Sequence, residues 1–472
     1  MTRRSMLVLC AIGFVVAGCT LGPNYKRPEV KAPPAYRGAS AEVPAPSAKS
    51  LGELGWWTIF QDPELQELVR TALVENYDLR ITVTRILQAQ GQLTVVRSQQ
   101  FPTVNGSVAA PYSRYTGGDK PALYEQFTPQ GGIDVAWELD FWGRLRRGTE
   151  AARADLLASE EVRNAVVTIL VAEVAQAYFD LRALDQSLEI SRRTLASRQQ
   201  SLDLVKARLE GGVAALIDVL QAESLVYTAA AAIPEAERRI ERTENAINVL
   251  LGRPPGPVKR GRPLTQQAML PEVPIGVPSQ ILERRPDIRQ AEQQLIAANA
   301  QIGAAMAQLY PQVFITGFAG VGGAVINGSS FGPMGVFNAL PSITLPIFNM
   351  GRLQAQVEQA EARTQEALER YRQTIQQAFR EVADGLVEQR KRRETRIQQE
   401  GLTRTSLDMS EVAKLRYEGG VSSYLEVQDA ERQLFSAELD LTQAQRDELA
   451  AIVSLYKALG GGWQTEEAPA KQ

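Results

Sequence analysis

The chain contains one short turn twice, first as Arg208-Leu209-Glu210-Gly211-Gly212-Val213 and again as Arg416-Tyr417-Glu418-Gly419-Gly420-Val421. The two copies lie 208 positions apart, and helically spaced apolar residues precede and follow each of them. Two adjacent glycines after such a run stop a helix, because glycine readily adopts the left-handed conformation that ends one. The sequence therefore predicts two long helical hairpins per chain, each with a Gly-Gly tip.

Other motifs recur at nearly the same spacing. Asp78-Leu79-Arg80 returns as Asp287-Ile288-Arg289 after 209 positions, and Gly143-Arg144-Leu145 returns as Gly351-Arg352-Leu353 after 208. Matches at one offset over almost the whole chain indicate an internal duplication. The predicted boundaries are a first repeat at 61–265, a connector at 266–284, a second repeat at 285–462 and a disordered tail at 463–472.

The longest helix is predicted from Arg144 to Arg208, a run without proline. At 1.5 Å per residue it would be about 98 Å long. Leucine or valine recurs every seventh residue along it, which favours a left-handed coiled-coil seam. The residues of this seam are Val167, Val174, Leu181, Leu188, Leu195, Leu202 and Leu209.

About 40 residues in each half change to a period of two. Apolar residues from Ile133 to Leu139 alternate with Asp134, Ala136, Glu138 and Asp140, as expected for strands with one apolar and one polar face. Ile343, Leu345 and Ile347 alternate in the same way. The sequence predicts two strands within 102–142 and two within 311–348, with loops at about 113–129 and 322–336.

Strands of about ten residues with this alternation resemble those of outer-membrane barrels. Four strands leave open edges, which lipid does not tolerate, so the barrel must be shared between chains. Two chains would give eight strands around a filled interior, and three would give twelve around a water-filled lumen. The predicted fold is mainly α with a small β part, in which shared strands form a barrel and long helices form a coiled-coil tunnel.

The N-terminus has the pattern of a bacterial lipoprotein signal peptide over 1–18. A basic start precedes the apolar run Met6–Ala17, which is too short to span a bilayer, and small residues precede Cys19. We expect cleavage before Cys19, whose thiol would carry diacylglycerol and whose amine an acyl chain such as palmitate. An extended segment would follow over 19–60. The alternative is an ordinary secretory peptide with a cysteine nearby.

Composition narrows the function classes. The chain has 51 basic and 54 acidic residues, a formal net charge of −3, which becomes −5 once Arg3 and Arg4 leave with the signal peptide. This mild acidity does not favour nucleic-acid binding. The sequence contains no histidine, which excludes His-dependent catalysis and His-ligated metal sites. We therefore expect neither an enzyme nor a metal centre, and no cofactor besides the lipid.

Several segments together resemble the outer membrane factor family of TolC-like efflux channels, in its lipoprotein branch of the OprM, CusC and NodT type. They are Cys19 to Tyr25, Trp56-Trp57, Phe60 to Pro63, Arg285 to Ile288 and the two Glu-Gly-Gly-Val turns. The resemblance implies a homotrimer with a twelve-stranded barrel in the outer membrane of a Gram-negative bacterium and a helical tunnel in the periplasm. It also implies passive export of small molecules, with a periplasmic adaptor and an inner-membrane pump, often of the resistance-nodulation-division class, as partners.

The resemblance places a periplasmic gate just after the second turn. Glu426 and Asp429 match the acidic constriction of the family, and Leu425 matches an apolar constriction residue. Spacings of three and four residues let these side chains share one helix face, although acids also favour helix N-termini without any gate. The tip residues expected to meet the adaptor are Arg208, Gly211, Gly212, Val213, Arg416, Gly419, Gly420 and Val421. The two arginines would bond acids of neighbouring hairpins or cap helix carbonyls.

Two other functions are compatible with parts of the sequence. A structural coiled-coil lipoprotein without a pore would explain the helices but not the alternating segments. A secreted enzyme could use Asp134, Glu138 and Asp140, but acids on one face of a strand are also expected of a pore lining.

Overall fold

A computed structural model of the chain describes residues 20–30, 33–34, 36, 51–117, 122–267 and 278–463. The predicted signal peptide, Cys19 and positions 464–472 of the predicted tail lie outside these residues. The helices within them are α1 (Trp56–Ile59), α2 (Pro63–Glu75), α3 (Tyr77–Ser98), α4 (Arg144–Glu210), α5 (Leu216–Leu250), α6 (Ile281–Arg284), α7 (Pro286–Ala307), α8 (Arg352–Glu418) and α9 (Tyr424–Ala458). The strands are β1 (Thr103–Ala109), β2 (Tyr112–Gly117), β3 (Ala122–Phe127), β4 (Gln130–Leu139), β5 (Gln312–Ile326) and β6 (Ser329–Thr344).

The internal repeat is visible in helix lengths. Helices α4 and α8 each have 67 residues, α5 and α9 each have 35, and α3 and α7 each have 22. Each pair is offset by the 208 or 209 positions seen in the sequence. The chain is thus mainly helical, with a smaller strand part, as predicted.

The six strands join end to end into four long antiparallel strands. The register that pairs Ala109 with Gln130 continues into the pairing of Tyr112 with Phe127. Between them the Thr128 N–H donates to the Pro111 carbonyl at 3.0 Å, so β1 runs on into β2 and β3 into β4. In the described sheet β4 pairs with β5, β5 with β6, and β1, β2 and β6 pair on one side only.

The predicted loops at 113–129 and 322–336 are wrong, because strands occupy most of both segments. A two-residue turn, Asn327-Gly328, joins β5 directly to β6, and both residues have positive φ, 47° and 81°. Asn-Gly is the sequence most typical of such hairpins. These strands are hard to recognise in the sequence because they are rich in glycine and serine. A strand is recognised by its alternation of apolar and polar side chains, which such small residues do not show. On the sheet a Cβ at Gly132 would lie 2.4 Å from the Ala319 carbonyl oxygen of β5, so the backbones approach too closely for a side chain there.

The alternation predicted for β4 is confirmed by its pairing with β5. Apolar residues of the two strands stand opposite each other on one face, while Asp134 and Glu138 share the other with Phe318 and Phe314. The cross-strand pairs on the apolar face are Ile133 with Ala319, Val135 with Gly317, Trp137 with Ile315 and Leu139 with Val313.

Two of the three acids expected to line a pore anchor the start of α4. Glu138 accepts from the Arg144 Nε at 2.9 Å. Asp140 accepts from the backbone N–H groups of Leu145 at 3.1 Å and Arg146 at 2.9 Å. These bonds satisfy helix N–H groups that have no partner within the helix.

The described residues divide into two compact units, one with those within 20–30, 84–160 and 290–373 and the other with those within 33–83, 161–289 and 374–463. The first contains the sheet, and the second contains both Gly-Gly turns. By length and composition, α4 and α5 could each cross a bilayer. The apolar part of α4, however, is buried at Val167, Val171 and Val174, as expected of a packing core.

In the second unit, Asp62 caps the N-terminus of α2, as predicted. This buried carboxylate accepts from the Glu64 N–H at 3.0 Å, and Pro63 begins the helix. Its other oxygen accepts from the Tyr178 hydroxyl at 2.7 Å and from the Arg262 N–H at 2.9 Å. Asp62 thereby ties α2 to the middle of α4 and to the segment that follows α5.

Candidate functional site

The two Gly-Gly turns have the same backbone geometry. In the first, the N–H of Val213 donates to the Arg208 carbonyl at 2.9 Å and that of Gly212 to the Leu209 carbonyl at 3.0 Å. The same two bonds recur 208 positions later, both at 3.0 Å. Gly212 and Gly420 have φ of +75° and +74°. Both turns are therefore Schellman motifs, in which a left-handed glycine ends a helix.

The two turns differ in how the following helix begins. The Asp218 carboxylate accepts from the Ala215 N–H at 3.0 Å and so caps α5. Its counterpart Glu426 reaches back to the Arg416 Nε at 3.3 Å. The first turn is closed by a local cap, and the second by an ion pair between α8 and α9.

The two arginines also have different partners. The Arg208 Nη1 donates to the carbonyls of Tyr417 at 3.1 Å and Glu418 at 3.4 Å, and its guanidinium lies 4.6 Å from the Tyr417 ring. Arg208 thus caps the end of α8, a helix of the other hairpin. Arg416 pairs instead with an acid of its own hairpin. The expected capping of helix carbonyls therefore occurs at Arg208, whereas the acid bonded by Arg416 belongs to its own hairpin and not to a neighbouring one.

The gate candidates lie at the start of α9. Glu426 and Asp429 line a groove of about 530 Å³ between α8 and α9, together with Arg416, Met409 and Val412. Leu425 is not part of this lining. The structure therefore brings the two acids together in one groove.

Asp429 accepts 2.6 Å hydrogen bonds from Arg432 and Gln433. These bonds hold the pKa of the Asp429 carboxyl below its usual value, so it is charged at neutral pH.

Leu425 occupies an exposed position that the repeat reproduces. Its side chain is 58% exposed, and its counterpart in the first hairpin, Ile217, is 57% exposed. Packing of one hairpin on the other therefore covers neither residue. Val213 and Val421 at the turns are exposed in the same way.

A polar cluster beneath the tips was not predicted from the sequence. The buried Arg198 of α4 donates to the Leu225 carbonyl at 2.8 Å and to the Glu431 carbonyl at 3.3 Å. Lys414 of α8 pairs with the Glu431 carboxylate at 2.9 Å. A usable signal existed, because this lysine and this glutamate recur at an offset of 208 as Lys206 and Glu223.

Tyrosines and small apolar residues from all four helices form the core around this cluster. The rings of Tyr417 and Tyr424 lie 5.3 Å apart, nearly perpendicular. Burial raises the pKa of both tyrosines. The buried residues of the core are Leu202, Val205, Val219, Ala222, Ala413, Tyr417, Tyr424, Val427 and Ala430. The two hairpins are thus fixed to each other just below their tips.

The duplicated hairpins and the amphipathic sheet define a channel protein of the outer membrane. The family model described as outer membrane efflux protein matches the chain twice, at residues 68–253 and 277–461. The chain belongs to this family, whose members lie in the outer membrane of Gram-negative bacteria and are channels rather than enzymes.

Individual relatives match along almost the full length. The toluene efflux pump outer membrane protein TtgC of Pseudomonas putida is 36% identical, over 99% of this chain and 98% of its own. The cation efflux system protein CusC of Escherichia coli is 34% identical, over 98% and 100%. The open state of the MtrE outer membrane channel of Neisseria gonorrhoeae is similar in structure, with a TM-score of 0.83, 33% identity and coverage of 94% and 99%.

Proposed function

We propose that this chain forms the outer-membrane channel of a tripartite efflux system, as a homotrimer that passively conducts small molecules delivered by an inner-membrane pump. The four-stranded sheet carries this proposal. In the described structure its outer strands, β1–β2 and β6, pair on one side only, and lipid offers no partner for the other side. Three sheets joined edge to edge give twelve strands and a lumen. A structural lipoprotein without a pore would leave this sheet unexplained.

The proposed partners are supported by the exposed Gly-Gly turns and by the related proteins. A periplasmic adaptor meets the two turns, where Val213 and Val421 are exposed, and the pump is of the resistance-nodulation-division class. TtgC and CusC are both named as parts of efflux systems, which supports this assignment. The lipid on Cys19 anchors the mature N-terminus in the outer membrane.

The gate lies at the start of α9. Three copies of Leu425 form an apolar ring, and three copies of Glu426 and Asp429 form an acidic one, which favours cations. Adaptor docking at the tips opens these rings. The exposure of Leu425 and the charged state of Asp429 support the assignment, as does the existence of an open state in MtrE.

The proposal is tested by mass and conductance. The full-length protein, purified from outer membranes in detergent, is expected to have the mass of three chains and to give discrete conductance steps in planar bilayers. The same preparation dissociated by heating is the control, and it should give no steps. A monomeric native protein, or a trimer that gives no conductance even with Leu425→Ala/Asp429→Ala at its gate, would contradict the proposal.

A further inference from the structure

A second groove lies where α4, α5 and α9 meet, away from the tip turns and the gate candidates. Helix α4 forms its floor, and α5 and α9 form its walls, around a volume of about 440 Å³. We call this surface the arginine groove, because each wall carries arginine. It is defined by Ala183 and Leu184 on the floor and by Arg239, Arg242 and Arg446 on the walls.

The arginine groove opens on the face of α4 opposite to the segment that follows α5. The Tyr178 hydroxyl and the Arg182 Nε contact this segment at 2.9 Å and 3.0 Å. Asp180 and Leu184, each two residues further along, lie about half a turn around the helix and line the groove. The segment therefore covers one face of α4 and leaves the groove accessible on the other.

The walls give the groove an excess of positive charge. Arg239 and Arg242 are three residues apart on α5, so they lie on the same face of that helix. In the part of the chain that the structure describes, neither guanidinium has a carboxylate within 4.0 Å. Arg446, on the opposite wall, pairs with the Asp180 carboxylate at 3.2 Å. The groove thus contains three arginines and one acid, and two of the arginines are available to a ligand.

The repeat shows that this charge is particular to the first hairpin. Shifted by 208, Arg239 becomes Asp447 and Leu184 becomes Arg392. In the second hairpin these two counterparts form an ion pair at 2.9 Å. The first hairpin has an arginine in place of the acid and a leucine in place of its partner. The charge that one hairpin neutralises internally is therefore left for an external anion in the other.

The floor suits an apolar body attached to such an anion. Ala183 and Leu184 are buried, small or apolar, and leave the space above them empty. A ligand with a charged group at the wall and a hydrocarbon or aromatic body on the floor would match both surfaces. Inorganic ions would use only the wall.

We propose that the arginine groove binds organic anions, such as sulfonates or carboxylates with an apolar body. Arg239 and Arg242 donate N–H groups to the anionic group, and the body packs on Leu184. Arg239 lies 27 residues after Gly212, about 40 Å along the hairpin. A role for the groove in export rests on the proposed function. In that role it supplies a contact for anions that the acidic ring of the gate does not.

Titration calorimetry with naphthalene-1,5-disulfonate tests the binding on the full-length protein in a neutral detergent. We expect Arg239→Gln/Arg242→Gln to weaken binding by about tenfold or more, because charge-assisted hydrogen bonds are lost. The control Arg192→Gln/Arg238→Gln removes the same charge from arginines that pair with acids outside the groove. At about 0.1 M salt it should change the affinity little, since charges beyond about 10 Å are screened.

A second variant, Ala246→Glu, guards against misfolding of the first, because it keeps both arginines and adds a negative charge to the same wall. It should also abolish binding. No binding by the unmodified protein, or equal affinities in the groove and control variants, would overturn the inference while the proposed channel stands. If the disulfonate binds as expected but the protein with Leu425→Ala/Asp429→Ala at its gate gives no conductance, the proposed function fails and the binding site stands.

Discussion

At the scale of single residues, Asp62 shows how one carboxylate joins distant parts of the chain. Burial alone would raise its pKa, but bonds from Gln267 and Tyr178 and from the N–H groups of Glu64 and Arg262 outweigh burial. The pKa of the Asp62 carboxyl is therefore held below its usual value. The charged form is stabilised in the folded state, so the stabilisation is present above the unfolded pKa of about 3.9 and is lost as pH falls through the folded value.

The first prediction follows from the lowered pKa of the Asp62 carboxyl. Asp62→Asn should lower the free energy of unfolding at pH 7 by about 2 kcal/mol, because hydrogen bonds to a charged group are lost. The difference from wild type should shrink below about pH 4. Thermal unfolding in detergent at pH 7 and pH 3.5 measures both values. Asp384→Asn, at an exposed acid 4.0 Å from Arg380, is the control and should change little. A pH-independent loss at Asp62 would contradict the explanation.

At the scale of elements, each tip depends on one glycine and not on its neighbour. Gly212 has φ of +75° and nothing near its Cβ position, so its requirement is conformational. We expect Gly212→Ala to cost about 1–2 kcal/mol of stability, as alanine disfavours the left-handed region. Gly211→Ala is the matched control, because its Cβ would meet only an ordinary contact of 3.5 Å with the Ala207 carbonyl. Equal losses of melting temperature in both variants would refute this assignment.

Substitution at the same pair of glycines can distinguish an effect on adaptor docking from an effect on folding. Gly211→Leu should leave the melting temperature of the channel nearly unchanged but reduce adaptor binding, since a bulky side chain then stands on the docking surface. Pull-down of the adaptor and efflux-dependent drug resistance measure the loss. An exposed substitution away from the tip, Gly91→Leu in α3, is the control because its Cβ position is open. Normal binding and resistance in the Gly211 variant would rule out docking at this turn.

A third element, residues 20–30, explains one asymmetry between the repeats. Gly303 in α7 has Thr94 as its counterpart in α3. A Cβ at Gly303 would lie 2.4 Å from the Leu21 carbonyl oxygen. The buried Arg147 holds the same segment, donating to the carbonyls of Leu21 at 3.0 Å and Gly22 at 3.2 Å. Of the equivalent helices α3 and α7, the described contacts of this segment are with α7, at Glu292 and Asn299, so only that copy needs glycine.

Gly303→Val should therefore displace this segment while leaving the helices in place. Limited proteolysis should then cut between residues 20 and 30 in the variant and not in wild type, with circular dichroism unchanged. Thr94→Val, at the equivalent and exposed position of the first repeat, is the control. Resistance of the Gly303 variant to proteolysis would show that the segment does not depend on this close approach.

At the scale of the whole molecule, the sequence was sufficient to predict the helices but not the residues that each helix contacts. The seven-residue repeat and the glycine stops predicted α4, α5, α8 and α9 because these signals are local. The extent of β5 and β6 was missed since their glycines and serines carry no alternation. The partner of Arg208 could not be predicted either, because it is a pair of carbonyls in another helix. Likewise, the pattern of the strand did not show that Glu138 and Asp140 bind the start of α4, because these contacts join two elements.

The proposed gate exists only in the assembled trimer. The equivalent positions of the first repeat provide a control variant for it. Leu425→Ala/Asp429→Ala should raise single-channel conductance and lower the preference for cations, because it removes an apolar ring and an acidic one from the constriction. Ile217→Ala/Gln221→Ala changes the equivalent positions of the first hairpin, which are equally exposed at Ile217 but lack the second acid. Planar-bilayer recordings should show conductance rising in the first variant and staying near wild type in the second. An unchanged first variant, or an equal rise in both, would place the constriction elsewhere.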